Sequence, residues 1–236
     1  MTDRPQSSIR NQILAGMPAG DFAVLQPSLE TVRLELNQTL IEPERPIGHV
    51  WFMESGFTSI VTGNDGMKVE IGLVGREGMV GVTVLLGTDR SPFEHFIQSA
   101  GDSWRMPAER LVAAAEERPS LRRRLLRYAQ ALNVQSSRTA YANAEYPIEA
   151  RLARWLLMCH DRTDGNDIQI THDFIAMMLA VRRAGVTTAT HVLEGNRLIR
   201  AARGVITILD RRRLELLADD AYGLPEREYA RLMSED

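Results

Sequence analysis

The chemistry most visible in this sequence is that of arginine. Eight arginines stand between Val181 and Arg213, at positions 182, 183, 197, 200, 203, 211, 212 and 213, against two acids, Glu194 and Asp210. That segment carries a formal +6, whereas the whole 236-residue chain carries -3, which leaves -9 on the remainder. A guanidinium presents five N–H donors in a planar fork, a match for phosphate oxygens and for the O6 and N7 atoms of guanine. A basic segment on an acidic chain is a local footprint for a polyanion, or else a solvated charged face. Arginine itself is chain-wide, since Lys68 is the one lysine among 28 basic residues. The information therefore lies in where the arginines fall.

Other chemistries find little material. A single cysteine, Cys159, excludes an intramolecular disulfide, a cysteine-only zinc site and a four-cysteine iron–sulfur cluster. It lies on an apolar helical pattern and reads as a buried thiol, with a redox role as the alternative. His49 is followed by Val50-Trp51 and His95 by Phe96-Ile97, so neither supplies the H-x-H or H-x-D/E pair of a small metal-oxygenase barrel. Either histidine could in principle ligate a haem, but lone histidines in strands read as core or surface residues. No G-x-S-x-G, P-loop or H-E-x-x-H occurs. The chain reads as no enzyme, with no metal site. Apolar residues make up 44% and mean hydropathy is -0.20. No run reaches the roughly 18 apolar residues of a membrane helix, and MTDRPQSSIRNQ has no apolar leader core, so a cytoplasmic protein without membrane contact is expected.

The elements that must position the arginines follow from periodicity. The first 30 residues suggest one or two short helices. Val32, Leu34 and Leu36 then alternate with Arg33, Glu35 and Asn37, a half-buried strand. His49–Met53, 57–62, 67–73, His95–Gln98 and Trp104–Met106 read as further strands, with a hairpin signal at Gly63-Asn64-Asp65-Gly66. Short strands with glycine turns predict an antiparallel β-barrel or jelly roll. After Pro107 helical patterns take over. Pro119 suits the first residue of a helix from about Ser120 to Asn143. Leu121, Leu125, Tyr128 and Leu132 repeat on it at 4-3-4 spacing, a seam that could pair two helices or pack on the chain's own barrel. Tyr146-Pro147 ends that helix. The predicted organisation is α+β: a β-barrel over 1–118, a long central helix over 119–146 and a helical C-terminal domain over 147–236.

Within that last domain the order of elements is specific. Ile148, Leu152, Trp155, Leu156 and Cys159 mark one helical face, and Ile168 and Ile170 a short strand. Thr171 can cap a short helix bearing Phe174, Ile175, Met178 and Leu179. A tight turn at 180–182 leads to a second helix from Arg183 to Asn196, with Val186, Ala189, Val192 and Leu193 inward and Arg182, Arg183, Thr187, Thr188 and His191 outward. Gly185 inside it permits close packing or close approach of a ligand. Strands 198–202 and 205–209 around Arg203-Gly204 form a wing, placing Arg200 and Arg203 to meet phosphates. Helix, strand, helix, turn, helix, hairpin is a winged helix-turn-helix.

From the VRRAGVT stretch through the LIRAARGVITILD wing, and in its layout over nearly the whole chain, this sequence resembles the Crp/Fnr family of transcription regulators. The resemblance implies a cyclic-nucleotide-binding-like barrel, a central dimerisation helix and a homodimer whose second helices enter successive major grooves of a near-palindromic double-stranded DNA operator. It assigns Leu121, Leu125, Tyr128 and Leu132 to the dimer seam. Arg183 matches the family's base-reading arginine and Thr171 a phosphate-contacting position, while Arg182 stands where members often have a small polar residue and is expected to meet phosphate. Two matches fail: Ala184 stands where many members have an acidic base reader, and Thr188 where they have a basic one. RNA polymerase is a further partner if the protein activates.

The same resemblance locates a nucleotide pocket and casts doubt on it. Family members that bind cyclic nucleotides use a Gly-Glu pair and an Arg-Ser pair. Here Gly81, Arg90 and Ser91 are in place, but Val82 replaces the glutamate and Pro92 removes a backbone donor. A valine cannot accept from a ribose hydroxyl. Action without a cyclic nucleotide or other cofactor is therefore expected. The alternatives are a cyclic-nucleotide-dependent regulator and a ligand-binding adaptor whose winged helix contacts protein.

Overall fold

Strand-forming residues in the first half of the chain pair antiparallel, as their alternation predicts. The computed structural model describes residues 5–64 and 67–234. Two short helices, α1 (Gln12–Ala15) and α2 (Ala19–Leu25), precede β1 (Glu30–Leu34), β2 (Thr39–Ile41), β3 (His49–Met53), β4 (Phe57–Asn64), β5 (Met67–Val74), β6 (Met79–Val80), β7 (Glu94–Ser99) and β8 (Gly101–Pro107). They form two four-stranded sheets of order β1-β8-β3-β6 and β2-β7-β4-β5. Phe52 pairs with Trp104 across β3 and β8, and both are buried with Leu34, Val50 and Met106. Leu36 was expected to extend β1 but is 59% exposed. The strand stops because Asn37 turns at φ 64 and donates its N–H to the Ile97 carbonyl. Of the predicted hairpin turn, Asp65 and Gly66 lie outside the described residues.

α3 (Ala108–Glu117) leads to α4 (Pro119–Glu145), which begins on its proline. The 4-3-4 seam on α4 faces its own chain. Leu121 and Leu125 are fully buried, and Tyr128 is buried with its hydroxyl donating to the Met79 carbonyl at 3.1 Å. Gly78 lies so close to the Tyr128 ring that a Cβ there would overlap it. Leu132 is half-buried. Side chains already buried within their own chain leave little apolar surface for a partner helix, which counts against the dimer seam expected at Leu121, Leu125 and Tyr128. Periodicity identified the apolar face but not what covers it.

The C-terminal part supplies α5 (Ile148–His160), β9 (Asp167–Gln169), α6 (His172–Met178), α7 (Arg183–Gly195), β10 (Ile199–Ala202), β11 (Val205–Ile208), α8 (Arg211–Ala218) and α9 (Leu224–Ser234). β9 joins the wing hairpin in a three-stranded sheet of order β10-β11-β9. By packing, the chain forms two units. One contains the chain through Ile60, Val74–Asn133 and the residues from Arg231 onward; the other contains Val61–Leu73 and Val134–Ala230. The outer part of the β4–β5 hairpin thus packs with the C-terminal half of α4 and with the winged helix.

A buried polar cluster holds this second unit together. Trp155 donates its indole N–H to the Glu70 carboxylate at 2.7 Å, and both residues are buried. Neighbouring Arg154, also buried, donates to the Thr139 hydroxyl at 3.0 Å and the Ala221 carbonyl at 3.1 Å. Burial pulls the Arg154 guanidinium down to about 10, while the Glu226 and Glu70 carboxylates act to keep it charged. Gln135 accepts from the Leu73 N–H at 2.7 Å. Cys159 lies fully buried in the same unit, its thiol pushed up by burial and by the negative charge of Glu70.

Candidate nucleic-acid interface

The two-helix motif is built as its residue types dictate. Thr171 is the N-cap of α6, and its hydroxyl accepts from the Phe174 N–H at 3.2 Å. Ile175, Met178, Val186, Ala189 and Leu193 bury the inner faces of α6 and α7. α5 packs against both α7 and α8. Gly185 belongs to this packing, since a Cβ there would sit 3.0 Å from Cδ1 of Ile148. Val192, expected inside, is 40% exposed.

Between the helices Val181 donates to the Ala176 carbonyl, and Ala180 adopts φ 52. An L-residue in this left-handed region costs about 1–2 kcal/mol, whereas glycine enters it freely at some cost in backbone entropy. Ala180→Gly is therefore expected to stabilise the protein by about 0.5–1 kcal/mol, read as a higher urea midpoint at unchanged slope.

The outward face of α7 is polar and basic. Arg182 is its N-cap and makes no side-chain capping bond; Arg182, Arg183 and Ala184 are exposed. The Thr187 and Thr188 hydroxyls donate back to the Arg183 and Ala184 carbonyls at 3.2 and 3.1 Å. With their protons given to these carbonyls, the hydroxyls keep acceptor capacity and the methyl groups remain for apolar contact. His191, 73% exposed, stands 3.8 Å from the Glu194 carboxylate. That carboxylate also accepts from the Ala201 N–H at 2.7 Å and so joins α7 to the wing. Ala202 pairs with Val205, leaving Arg203-Gly204 as a two-residue turn with Gly204 at φ 76. Arg200 and Arg203 are exposed.

Arg211 is set apart from the other seven arginines. It donates to Asp161 at 2.6 Å, Glu215 at 2.8 Å and the Tyr222 hydroxyl at 2.7 Å, a tie among α5, α8 and the turn before α9. Arg182, Arg183, Arg197, Arg200, Arg203, Arg212 and Arg213 are all exposed. One contact escaped sequence reasoning: Nε of Arg183 lies 3.1 Å from Oδ1 of Asp173, in the first turn of α6. Two exposed residues ten positions apart give no periodic signal, and only the turn between the helices brings them together.

The residues assigned to a nucleotide pocket, Gly81, Arg90 and Ser91, each have local partners. Gly81 adopts φ 92, and a Cβ there would lie 3.1 Å from Cγ1 of Val50, so backbone conformation and close packing both account for a glycine. Val82, in place of the expected glutamate, is buried in a 3-10 turn over Val82–Leu86. Arg90 is exposed with its Nε 3.1 Å from the Asp89 carboxylate. Ser91 is buried, its hydroxyl accepting from the Phe93 N–H at 3.1 Å. Among the described residues no cluster of three His, Cys, Asp or Glu side chains could hold a metal ion, and no helix is long and apolar enough to cross a membrane.

A family model of the Crp-like helix-turn-helix domain matches residues 150–217. Among solved structures the chain is similar to FixK2 from Bradyrhizobium japonicum, with 14% identity and a TM-score of 0.70 over 81% of this chain and 98% of that one. A CRP/FNR-family transcriptional regulator from Thermus thermophilus is similar at 21% identity and a TM-score of 0.66, over 80% and 98%. A second regulator from that organism, of the CRP family, gives 20% and 0.65 over 79% and 96%. At these identities the likeness is one of fold. A search of curated protein sequences gives no match.

Proposed function

For a chain whose residues 150–217 form a Crp-like helix-turn-helix domain, within the fold of Crp/Fnr-family transcription regulators, we propose sequence-specific binding of double-stranded DNA in the control of transcription. The observation that carries this reading is the set of seven exposed arginines along α7, the wing and the start of α8, with Arg183 at the first position of α7. Arginine at that position reaches a base edge when the helix N-terminus enters the major groove, and its fork donates to guanine O6 and N7 together. Arg182, Thr171, Arg200 and Arg203 meet phosphates, which set register and supply salt-dependent affinity without reading sequence. The Thr187 and Thr188 methyls suit thymine. The half-site differs from that of relatives with an acidic reader, because Ala184 has nothing to offer a cytosine amine.

The protein acts as a cytoplasmic homodimer, as the resemblance implies, with two half-sites about one helical turn apart. With Leu121 and Leu125 sunk against the barrel, the face of α4 left for a second copy carries Leu126, Ala129, Asn133 and Ala140, all half-buried or exposed. Binding is read as independent of cyclic nucleotide, a reading supported by Val82 in place of the glutamate, by the Arg90–Asp89 pair and by the Ser91 hydroxyl engaged in its own turn. The chain catalyses no reaction.

Selection from randomised duplex DNA, with and without cyclic AMP, tests both statements. A two-fold symmetric site is expected equally in both arms. On that site Arg183→Ala should weaken binding by about 1–3 kcal/mol and relax preference at one base pair per half-site. Equal weakening on all sequences would reassign Arg183 to phosphate, and enrichment only with cyclic AMP would overturn the nucleotide argument.

A further inference from the structure

The pairing of Arg183 with Asp173 bears on how that arginine selects a base. We infer that Asp173 is a specificity-determining residue of the DNA-reading surface, one that positions Arg183 and penalises DNA lacking the base Arg183 requires. The inference rests on the DNA-binding reading above. Asp173 is not needed as a helix cap, because Thr171 caps α6 with its own hydroxyl. Nor is the pair a structural brace, since both side chains are about two-thirds exposed, at 69% for Asp173 and 67% for Arg183. An exposed ion pair of this kind adds little to folding.

Its geometry suits recognition. The carboxylate engages Nε of Arg183 at 3.1 Å. The two terminal nitrogens of the guanidinium remain as the fork that a guanine edge accepts. A free arginine side chain surrenders much rotamer freedom when it docks, and one already tethered at Nε surrenders less. The tether therefore favours the complex in which the fork finds its base. The same carboxylate is exposed beside the reading arginine, and a negative charge there would repel DNA phosphates in every register. In the matched complex the Arg183–guanine contact offsets that repulsion, and on unmatched DNA nothing does. Specificity is a difference of affinities, and a charge that weakens all complexes but is compensated in one widens the difference.

The experiment compares wild type, Asp173→Ala, Asp173→Glu, Arg183→Ala and the double variant Asp173→Ala/Arg183→Ala. Binding is measured by anisotropy on the selected duplex, on the duplex altered at the base pair read by Arg183, and on an unrelated duplex. Asp173→Ala is expected to cut the ratio of matched to altered affinity about fivefold, the ceiling for an exposed ion pair. It should also tighten binding to the unrelated duplex. Asp173→Glu should restore part of the ratio, and in the Arg183→Ala background the loss of Asp173 should leave the ratio unchanged. Uniform tightening on all three duplexes, or an equal effect with and without Arg183, would overturn the inference while leaving DNA recognition intact. Wild type binding all three duplexes alike would remove DNA reading itself, and the inference with it. Asp173 also stands in the first turn of α6, where a carboxylate favours the helix, so melting temperatures within about 4 °C of wild type establish that folding is not the variable.

Discussion

Replacing Glu70 by alanine is expected to cost the protein about 3–5 kcal/mol of stability, the range for removing one partner from a buried charged cluster. The carboxylate accepts the Trp155 indole N–H at 2.7 Å and contributes the negative charge that helps keep buried Arg154 protonated. Without it a buried donor is left without its acceptor and a buried cation loses a compensating charge. Glu70→Gln keeps an acceptor for Trp155 but not the charge, so its loss should fall between wild type and Glu70→Ala. At this chain length each kcal/mol moves the melting temperature by about 2–4 °C, which puts Glu70→Ala well below wild type in a calorimetric scan. A change under about 1 kcal/mol for Glu70→Ala would mean that the cluster is no better than an apolar contact.

Acid should weaken the barrel in part through one buried side chain. His95 on β7 is buried, its Nδ1 has no hydrogen-bond partner, and burial lowers its imidazole from the usual 6.5 to about 4. Below pH 6.5 the unfolded chain takes up a proton that the folded chain refuses, so stability is present above 6.5 and lost as pH falls towards 4. The loss is about 2 kcal/mol by roughly pH 5 and about 3 kcal/mol by roughly pH 4. Urea midpoints across that range for wild type and His95→Gln check it. The variant, which has no proton to gain there, should show a flatter profile, and equally steep profiles would assign the acid sensitivity to other groups.

Much of the architecture was legible because it rests on local rules. Pro119 begins α4, Thr171 caps α6, and Gly204 turns the wing, each for a reason contained in a few adjacent residues. The order of elements in the C-terminal domain was legible for the same cause. What escaped is non-local. Leu121, Leu125 and Tyr128 announce an apolar face, but the choice between a partner helix and the chain's own barrel depends on elements far away in sequence. Val192 fits the inward periodicity of α7 and yet is partly exposed. Glu70 and Trp155 are 85 positions apart, and nothing near either residue indicates the other. On the outward face of α7 the arginines were visible by type, whereas the Asp173 contact required the geometry of the turn, and Arg211 looked like its neighbours until its acidic partners were in place.

The lone, fully buried thiol of Cys159 makes the chain its own clock. A thiol reagent in solution cannot reach it while the second unit is closed, and burial keeps it in the unreactive protonated form. There is no other cysteine to blur the signal. Labelling under native conditions thus counts openings of the core between α5 and its neighbours, and its rate scales with the fraction of time that core is exposed. Each 1.4 kcal/mol removed from the closed state speeds the clock about tenfold. Ligands can be judged by the same measure: any DNA that binds only the closed form must slow it in proportion to occupancy, with no engineered probe on the protein.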